Sequence, residues 1–207
     1  MKKEWRKQEK SFYLPGEQPE LLEIPAWRFW AVDGTGNPNA PEFAERIELL
    51  YSLAYAVRMM PKSGYRPEGY EDYTVYPLEG LYSLPADTPP GAKLDKDRLI
   101  YTLMIRQPDF ITEEVAERAL SLVRQKKPHP LLPEVRLETV EDRLSVQLLH
   151  IGPFDDEPRS FERMHRFIDE RGLSLRSLEH REIYLNDFRK TEPSRLKTVL
   201  RYRVNPA

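Results

Sequence analysis

Twice along this chain the spacing of apolar residues runs strand, helix, strand, strand, and that repetition restricts the fold more than any single motif. The first round opens with Ala26–Gly34 (AWRFWAVDG), dense in aromatic and β-favouring residues and closed by a turn. A helix is expected next, capped by Asn39, with Pro41 and Glu42 in its first turn, where a missing N–H and a negative charge are both tolerated. Phe43, Ile47, Leu50, Ala54 and Val57 share one helical stripe, with Leu49, Leu53, Ala56 and Met60 beside it. A face that wide packs on a sheet, and Pro61 stops the helix. YTVYPLEGLYSL and DRLIYTLMIR read as the two closing strands, separated by the turn-rich segment 85–96.

The second round begins near Ser145 with RLSVQLLHIG. Its helix, EPRSFERMHRFIDERG, puts Phe161, Met164, Phe167 and Ile168 on one face, with Gly172 as C-cap, and HREIYL and LKTVLRYRV follow as strands. Between the rounds a helix starts after Thr112, with Glu113 and Glu114 in its first turn. The strand EVRLETV is expected to form a hairpin with RLSVQLLHIG through Glu141–Asp142. The expectation is an α+β fold, one domain over residues 1–207. Module one covers about 21–106, a linker helix and hairpin strand about 112–140, and module two about 143–204. The two β-α-β-β modules would be related by a pseudo-twofold axis, with an antiparallel sheet and two main helices flanking a central ligand groove.

Charge and composition narrow the partners. Basic groups number 32 and acidic groups 34, a net charge of −2 that offers no electrostatic case for nucleic acid or an anionic membrane. The basic opening (Lys2, Lys3, Arg6, Lys7, Lys10) is interrupted by Glu4 and Glu9 and reads as a solvated segment. There are no cysteines, which excludes disulfides, thiolate metal sites and a cysteine nucleophile. The opening residues lack the apolar core of a secretory signal, and no stretch reaches the length of a bilayer span, so a cytoplasmic protein is expected. His129, His150, His165 and His180 have no metal-ligand spacing, so no metal site is expected.

Chemistry concentrates in HREIYLNDFRK, residues 180–190. Strand alternation puts Glu182, Tyr184 and Asn186 on one side, and Arg181, Ile183 and Leu185 on the other. A carboxylate sheltered by aromatic rings can act as a base near neutrality, and a phenol beside it can donate to developing oxyanion charge. The same pair can instead hold a cation or polar head, or be a solvated strand face. The repeat sets Glu79 in the position equivalent to Glu182, and Gly80 suggests a bulge that would bring Glu79 and Tyr82 to one side. Tyr65, Tyr70 and Tyr73 lie in a Gly- and Pro-rich loop that is either a lid or a surface-packed segment. His150 ends a strand before Gly152–Pro153 and reads as a structural histidine or a ligand contact. Trp30, in the first strand, joins Tyr82, Tyr65, Tyr70 and His150 as candidate ligand contacts.

VDGTGNPN before a long helix, YPLEGLY, HIGPFDDE and HREIYLNDFRKTEPSRLKTVLRYRV together resemble the GyrI-like (DNA gyrase inhibitor-like) small-molecule-binding family over about residues 7–204. The nearest resemblance is to its stand-alone branch, which has no attached DNA-binding domain. It implies the paired β-α-β-β modules and a groove that takes drug-like aromatic or cationic molecules over a central Glu, matched here by Glu182 with Tyr184. Tyr82 stands where the family's PLEGLW segment has Trp, and NDFRK departs from DPRK at Phe188. Some stand-alone members hydrolyse the cyclopropane of DNA-alkylating natural products of the yatakemycin and duocarmycin type. The resemblance therefore implies a cofactor-independent detoxifying hydrolase, with Glu182, Tyr184 and Glu79 in catalytic roles. The alternative it leaves is sequestration of hydrophobic or cationic xenobiotics without catalysis.

Overall fold

The computed structural model describes residues 2–89 and 95–206, so residues 90–94 of the turn-rich segment expected over 85–96 lie outside the described residues. In chain order the elements are α1 (Trp5–Gln8), α2 (Lys10–Tyr13), β1 (Glu20–Ile24), β2 (Trp27–Thr35), α3 (Pro41–Met59), β3 (Leu78–Ser83) and β4 (Ile100–Arg106). They continue with α4 (Glu113–Lys126), β5 (Arg136–Val140), β6 (Arg143–Ile151), α5 (Glu157–Glu170), β7 (Ser174–Tyr184) and β8 (Lys197–Asn205). The fold is α+β with antiparallel strand pairing, and the chain divides into two compact units.

The first unit holds Trp27–Leu78 and Leu84–Val140 together with the residues up to Glu4. Here β2 lies between β4 and β5, pairing antiparallel with both, so that Trp30 faces Ile105 on one side and Leu137 on the other. The wide apolar face of α3 covers this sheet: Phe43, Ile47, Leu50, Leu53 and Val57 are all buried. Each such side chain contributes roughly 1.5–3 kcal/mol of burial free energy. Ala40, not Asn39, occupies the N-cap, and the Asn39 backbone N–H donates to Asn37 Oδ1 at 3.0 Å. Thr112 does cap α4, its hydroxyl accepting from Val115 N at 3.2 Å.

The second unit holds Trp5–Ala26, Glu79–Ser83 and the chain from Glu141 onward. Its strands run β1-β6-β8-β7-β3, each pair antiparallel. Helix α5 packs on the sheet through Met164 and Ile168, meeting Val146 and Leu148 of β6 and Leu200, Tyr202 and Val204 of β8. Gly172 supplies the left-handed residue after it, with φ +66°. The expected hairpin between EVRLETV and RLSVQLLHIG does not form: β5 pairs with β2, and β6 pairs with β1 and β8. Nor is the N-terminal segment merely solvated, since Trp5 and Tyr13 are buried. Pairing of β7 with β8 is regular from His180 to Tyr184 but shifts register between Leu175 and His180, where Leu178 stands almost fully exposed.

Candidate functional site

The register of β3, β7 and β8 decides which side chains meet. Gly80 pairs with Glu182, Tyr82 with His180, and Glu79 with Ile183, without the bulge expected at Gly80. Residues directly opposite share a face, so Tyr82, His180, Glu182 and Tyr184 come together on the α5 side of the sheet. Gly80 has a different purpose there. A Cβ at residue 80 would lie 2.5 Å from Tyr82 Cε2, so the missing side chain makes room for the tyrosine ring.

Both oxygens of the Glu182 carboxylate are held. Tyr184 donates its hydroxyl to Oε2 at 2.7 Å, and His180 Nε2 lies 3.0 Å from Oε1. A carboxylate only accepts, so the His180 proton on this bond sits on Nε2. The hydroxyls of Tyr82 and Tyr184 are 2.6 Å apart. With the Tyr184 proton directed to Glu182, Tyr82 must donate to Tyr184, which gives a hydrogen-bond chain Tyr82 to Tyr184 to Glu182. Burial, reinforced by the charge of Glu182, pushes the Tyr184 phenol well above its ordinary value. Tyr184 therefore stays a neutral donor throughout the physiological range.

Aromatic rings surround this chain. Phe154 and Phe188 meet Tyr184 at centroid distances of 6.0 and 5.1 Å, and Phe161 meets the His180 imidazole edge-on at 4.8 Å. Tyr82 stacks on His180 at 5.8 Å. Glu182 is 9% exposed, sheltered but still reachable. A flat apolar molecule can pack on such rings while a polar atom meets the carboxylate. Among the described residues no cluster of His, Asp or Glu is placed to hold a metal ion.

Glu79 lies on the opposite face of the same sheet, in a buried charge cluster. Arg181 Nη1 donates to Glu79 Oε2 at 2.6 Å and Nη2 to Asp142 Oδ1 at 2.9 Å. Arg201 Nη1 lies 3.6 Å from Asp142 Oδ2, while its Nη2 donates to Gln147 Oε1 at 2.8 Å. Burial alone would raise the Asp142 carboxyl, but Arg181 and Arg201 outweigh it and hold the group below its ordinary value. Two cations and two carboxylates out of water neutralise each other here.

Of the other candidate contacts, His150, Tyr65 and Tyr70 have partners of their own. His150 sits between the Ser160 hydroxyl, 3.0 Å from Nδ1, and the Pro153 carbonyl, 3.1 Å from Nε2, tying β6 to the start of α5. In the first unit Trp30 is fully buried in the sheet. There the Tyr65 hydroxyl donates to Glu114 at 3.2 Å, with the Arg118 guanidinium 4.0 Å over the ring, and Tyr70 donates to the Arg58 carbonyl at 2.8 Å. Asn186 leaves the Glu182 side because β7 ends at Tyr184, and its amide donates to the Arg195 carbonyl at 3.0 Å. Sequence reasoning missed His180, although strand alternation carries it onto the Glu182 side. It also missed Phe154, Phe161 and Phe188, which arrive from a loop, α5 and the β7–β8 connection.

A comparison with curated proteins returns no match. Among solved structures, a hydrolase from Listeria innocua is 37% identical, covering 99% of this chain and 100% of its own, with a TM-score of 0.89. A second Listeria innocua hydrolase is 36% identical with the same coverage and a TM-score of 0.91. The EcmrR C-terminal domain, 13% identical, matches 92% of this chain and 98% of its own at a TM-score of 0.53, a likeness of fold alone. The model of the GyrI-like small molecule binding domain matches residues 17–204. With nearly its whole length matched and relatives above a third identical, the chain belongs to the GyrI-like small molecule binding domain family.

Proposed function

We propose that this protein binds a flat, hydrophobic small molecule beside Glu182 and hydrolyses it, with cyclopropane-bearing aromatic toxins as the substrate class and self-protection as the purpose. The observation that carries this reading is the doubly held Glu182 carboxylate at the end of a two-phenol hydrogen-bond chain, faced by phenylalanine rings. The likeness to two hydrolases at 37% and 36% identity supports it.

In the reaction Glu182 takes a proton from water as the water oxygen bonds to the cyclopropane methylene. The breaking carbon–carbon bond sends its electron pair through the conjugated ring to the carbonyl oxygen, which becomes a phenolate. Once protonated, Glu182 turns from acceptor to donor and no longer needs the Tyr184 proton. The hydroxyl chain can then reverse and donate to the phenolate, so the proton removed from water ends on the product. Ring strain supplies driving force, and His180 keeps the carboxylate aimed. Glu79, committed to Arg181 across the sheet, has no part in this scheme.

The test is single-turnover hydrolysis of a cyclopropane genotoxin by the wild type and by Glu182→Gln, with products identified by mass spectrometry. A loss of about 10²–10⁴-fold in rate is expected. Equal rates would remove Glu182 as the base. A carboxylate ringed by aromatic faces also suits a flat cation held without reaction, and recovery of unaltered ligand after long incubation with the wild type would establish that reading instead.

A further inference from the structure

On the face of the second unit's sheet opposite Glu182, a cavity of about 550 Å³ opens between α1, the end of β6 and the connection from β7 to β8. Three cations line it from three separate elements: Arg6 from α1, Arg195 from the turn Pro193–Arg195, and Lys197 from the start of β8. Among the described residues none of the three makes an ion pair with a carboxylate. Arg136, by contrast, is matched by Asp33 and Glu138. Asp187, close by in sequence, is taken by Arg189 at 2.9 Å and Lys190 at 3.8 Å and does not line the cavity. Arg6 is also fixed in direction. Its guanidinium stacks 4.4 Å over Trp5 and donates to the Leu185 carbonyl.

Three uncompensated positive charges around one hollow create a local positive potential that a multivalent anion would relieve. The hydroxyl-bearing Thr191 and Ser194 line the same cavity, and hydroxyls complement phosphate oxygens. The volume falls in the range of small-molecule sites and far exceeds a bare phosphate. Ile151, 43% exposed, and Leu185 add apolar wall. We propose that this cavity is a second ligand site, which takes a phosphate monoester with a small apolar body. A phosphate dianion answers three cations better than a monocarboxylate does, and guanidinium groups bind it bidentately. The site is independent of the Glu182 chemistry.

Isothermal titration of the full chain at low ionic strength tests this, with phenyl phosphate as probe and inorganic phosphate and phenol as comparators. Saturable binding of phenyl phosphate is expected, with weaker binding of inorganic phosphate and none of phenol. The double substitution Arg195→Ala/Lys197→Ala, at exposed positions, should weaken it by about tenfold or more, as loss of charged hydrogen bonds does. Lys126→Ala/Lys127→Ala, far along the sequence in the first unit, should leave it unchanged. The proposal is overturned if phenyl phosphate gives no saturable heat, if the Arg195/Lys197 variant binds like the wild type, or if the Lys126/Lys127 variant loses as much.

Discussion

Replacing Arg181 with methionine tests the charge cluster behind the site. Arg181 is 2% exposed, and its guanidinium bridges Glu79, at 2.6 Å, to Asp142, at 2.9 Å. Without it, the cluster keeps two carboxylates against the single cation Arg201, which reaches only Asp142, at 3.6 Å. Glu79, with no exposed surface, is left with the Tyr13 hydroxyl at 3.5 Å. Breaking a buried pair from one side costs about 3–5 kcal/mol. For a chain of this length each kcal/mol moves Tm by ~2–4 °C, so Arg181→Met should melt ~6–20 °C below the wild type. The pH dependence has a definite sign. The Asp142 carboxyl is held below its ordinary value, so its contribution is full above the unfolded pKa of about 3.9 and is lost as pH falls through the folded one. The gap between wild type and variant should therefore be widest near neutrality and close in acid. Glu79→Leu/Arg181→Met, which removes both charges, should recover more than half of the loss. Thermal and urea unfolding followed by circular dichroism measure all three proteins. A single-variant loss below ~1 kcal/mol, or a gap unchanged in acid, would refute the assignment of this cluster as a mutually dependent charge network.

Tyr184→Phe breaks the chain between Glu182 and Tyr82, and Tyr82→Phe removes its outer donor; each should lower hydrolysis by ~10-fold or more, and a wild-type rate in either variant would refute the proton relay. Gly80→Ala puts a methyl 2.5 Å from the Tyr82 ring and should destabilise the protein by ~1–3 kcal/mol through overpacking, read from urea unfolding, with ligand affinity falling as Tyr82 is displaced. Met164→Ala empties a fully buried position under α5 and should cost ~2–5 kcal/mol by the same assay. Burial pushes the Tyr202 phenol up to about 12, so its contribution to stability is complete below about pH 10 and is lost as pH rises through 12; ultraviolet titration of phenolate absorbance in wild type and Tyr202→Phe follows it.

Local periodicity carried much of the fold and part of the site. The α3 face, the α4 cap at Thr112, the α5 stripe and the pairing of Glu182 with Tyr184 all depend on residues a few positions apart, and spacing alone reveals them. His180 was equally legible, being two residues before Glu182 on the same strand. What spacing could not reveal depended on distant partners. Glu79 looks like Glu182 in sequence, and only the register with β7 turns it toward Arg181. Arg181 and Arg201 meet a shared carboxylate only because Asp142, far from both in sequence, is brought between them. The same is true of the N-terminal segment, whose Lys-rich composition conceals Trp5 and Tyr13 as buried residues. The predicted hairpin failed because proximity in sequence suggested a pair, whereas β5 pairs with β2 and β6 takes an interior place between β1 and β8.

The irregular run in β7 has an evolutionary consequence. Between Leu175 and His180 this strand carries more residues than β8 spends between Val204 and Tyr202, so the excess already bows out at Leu178. A residue gained or lost there changes only the size of the bow. One gained between His180 and Tyr184 would exchange the two faces, sending Arg181 among the phenylalanines and Glu182 into the charge cluster. Length variation among descendants of this gene should therefore collect in residues 176–179 and be purged from the next five.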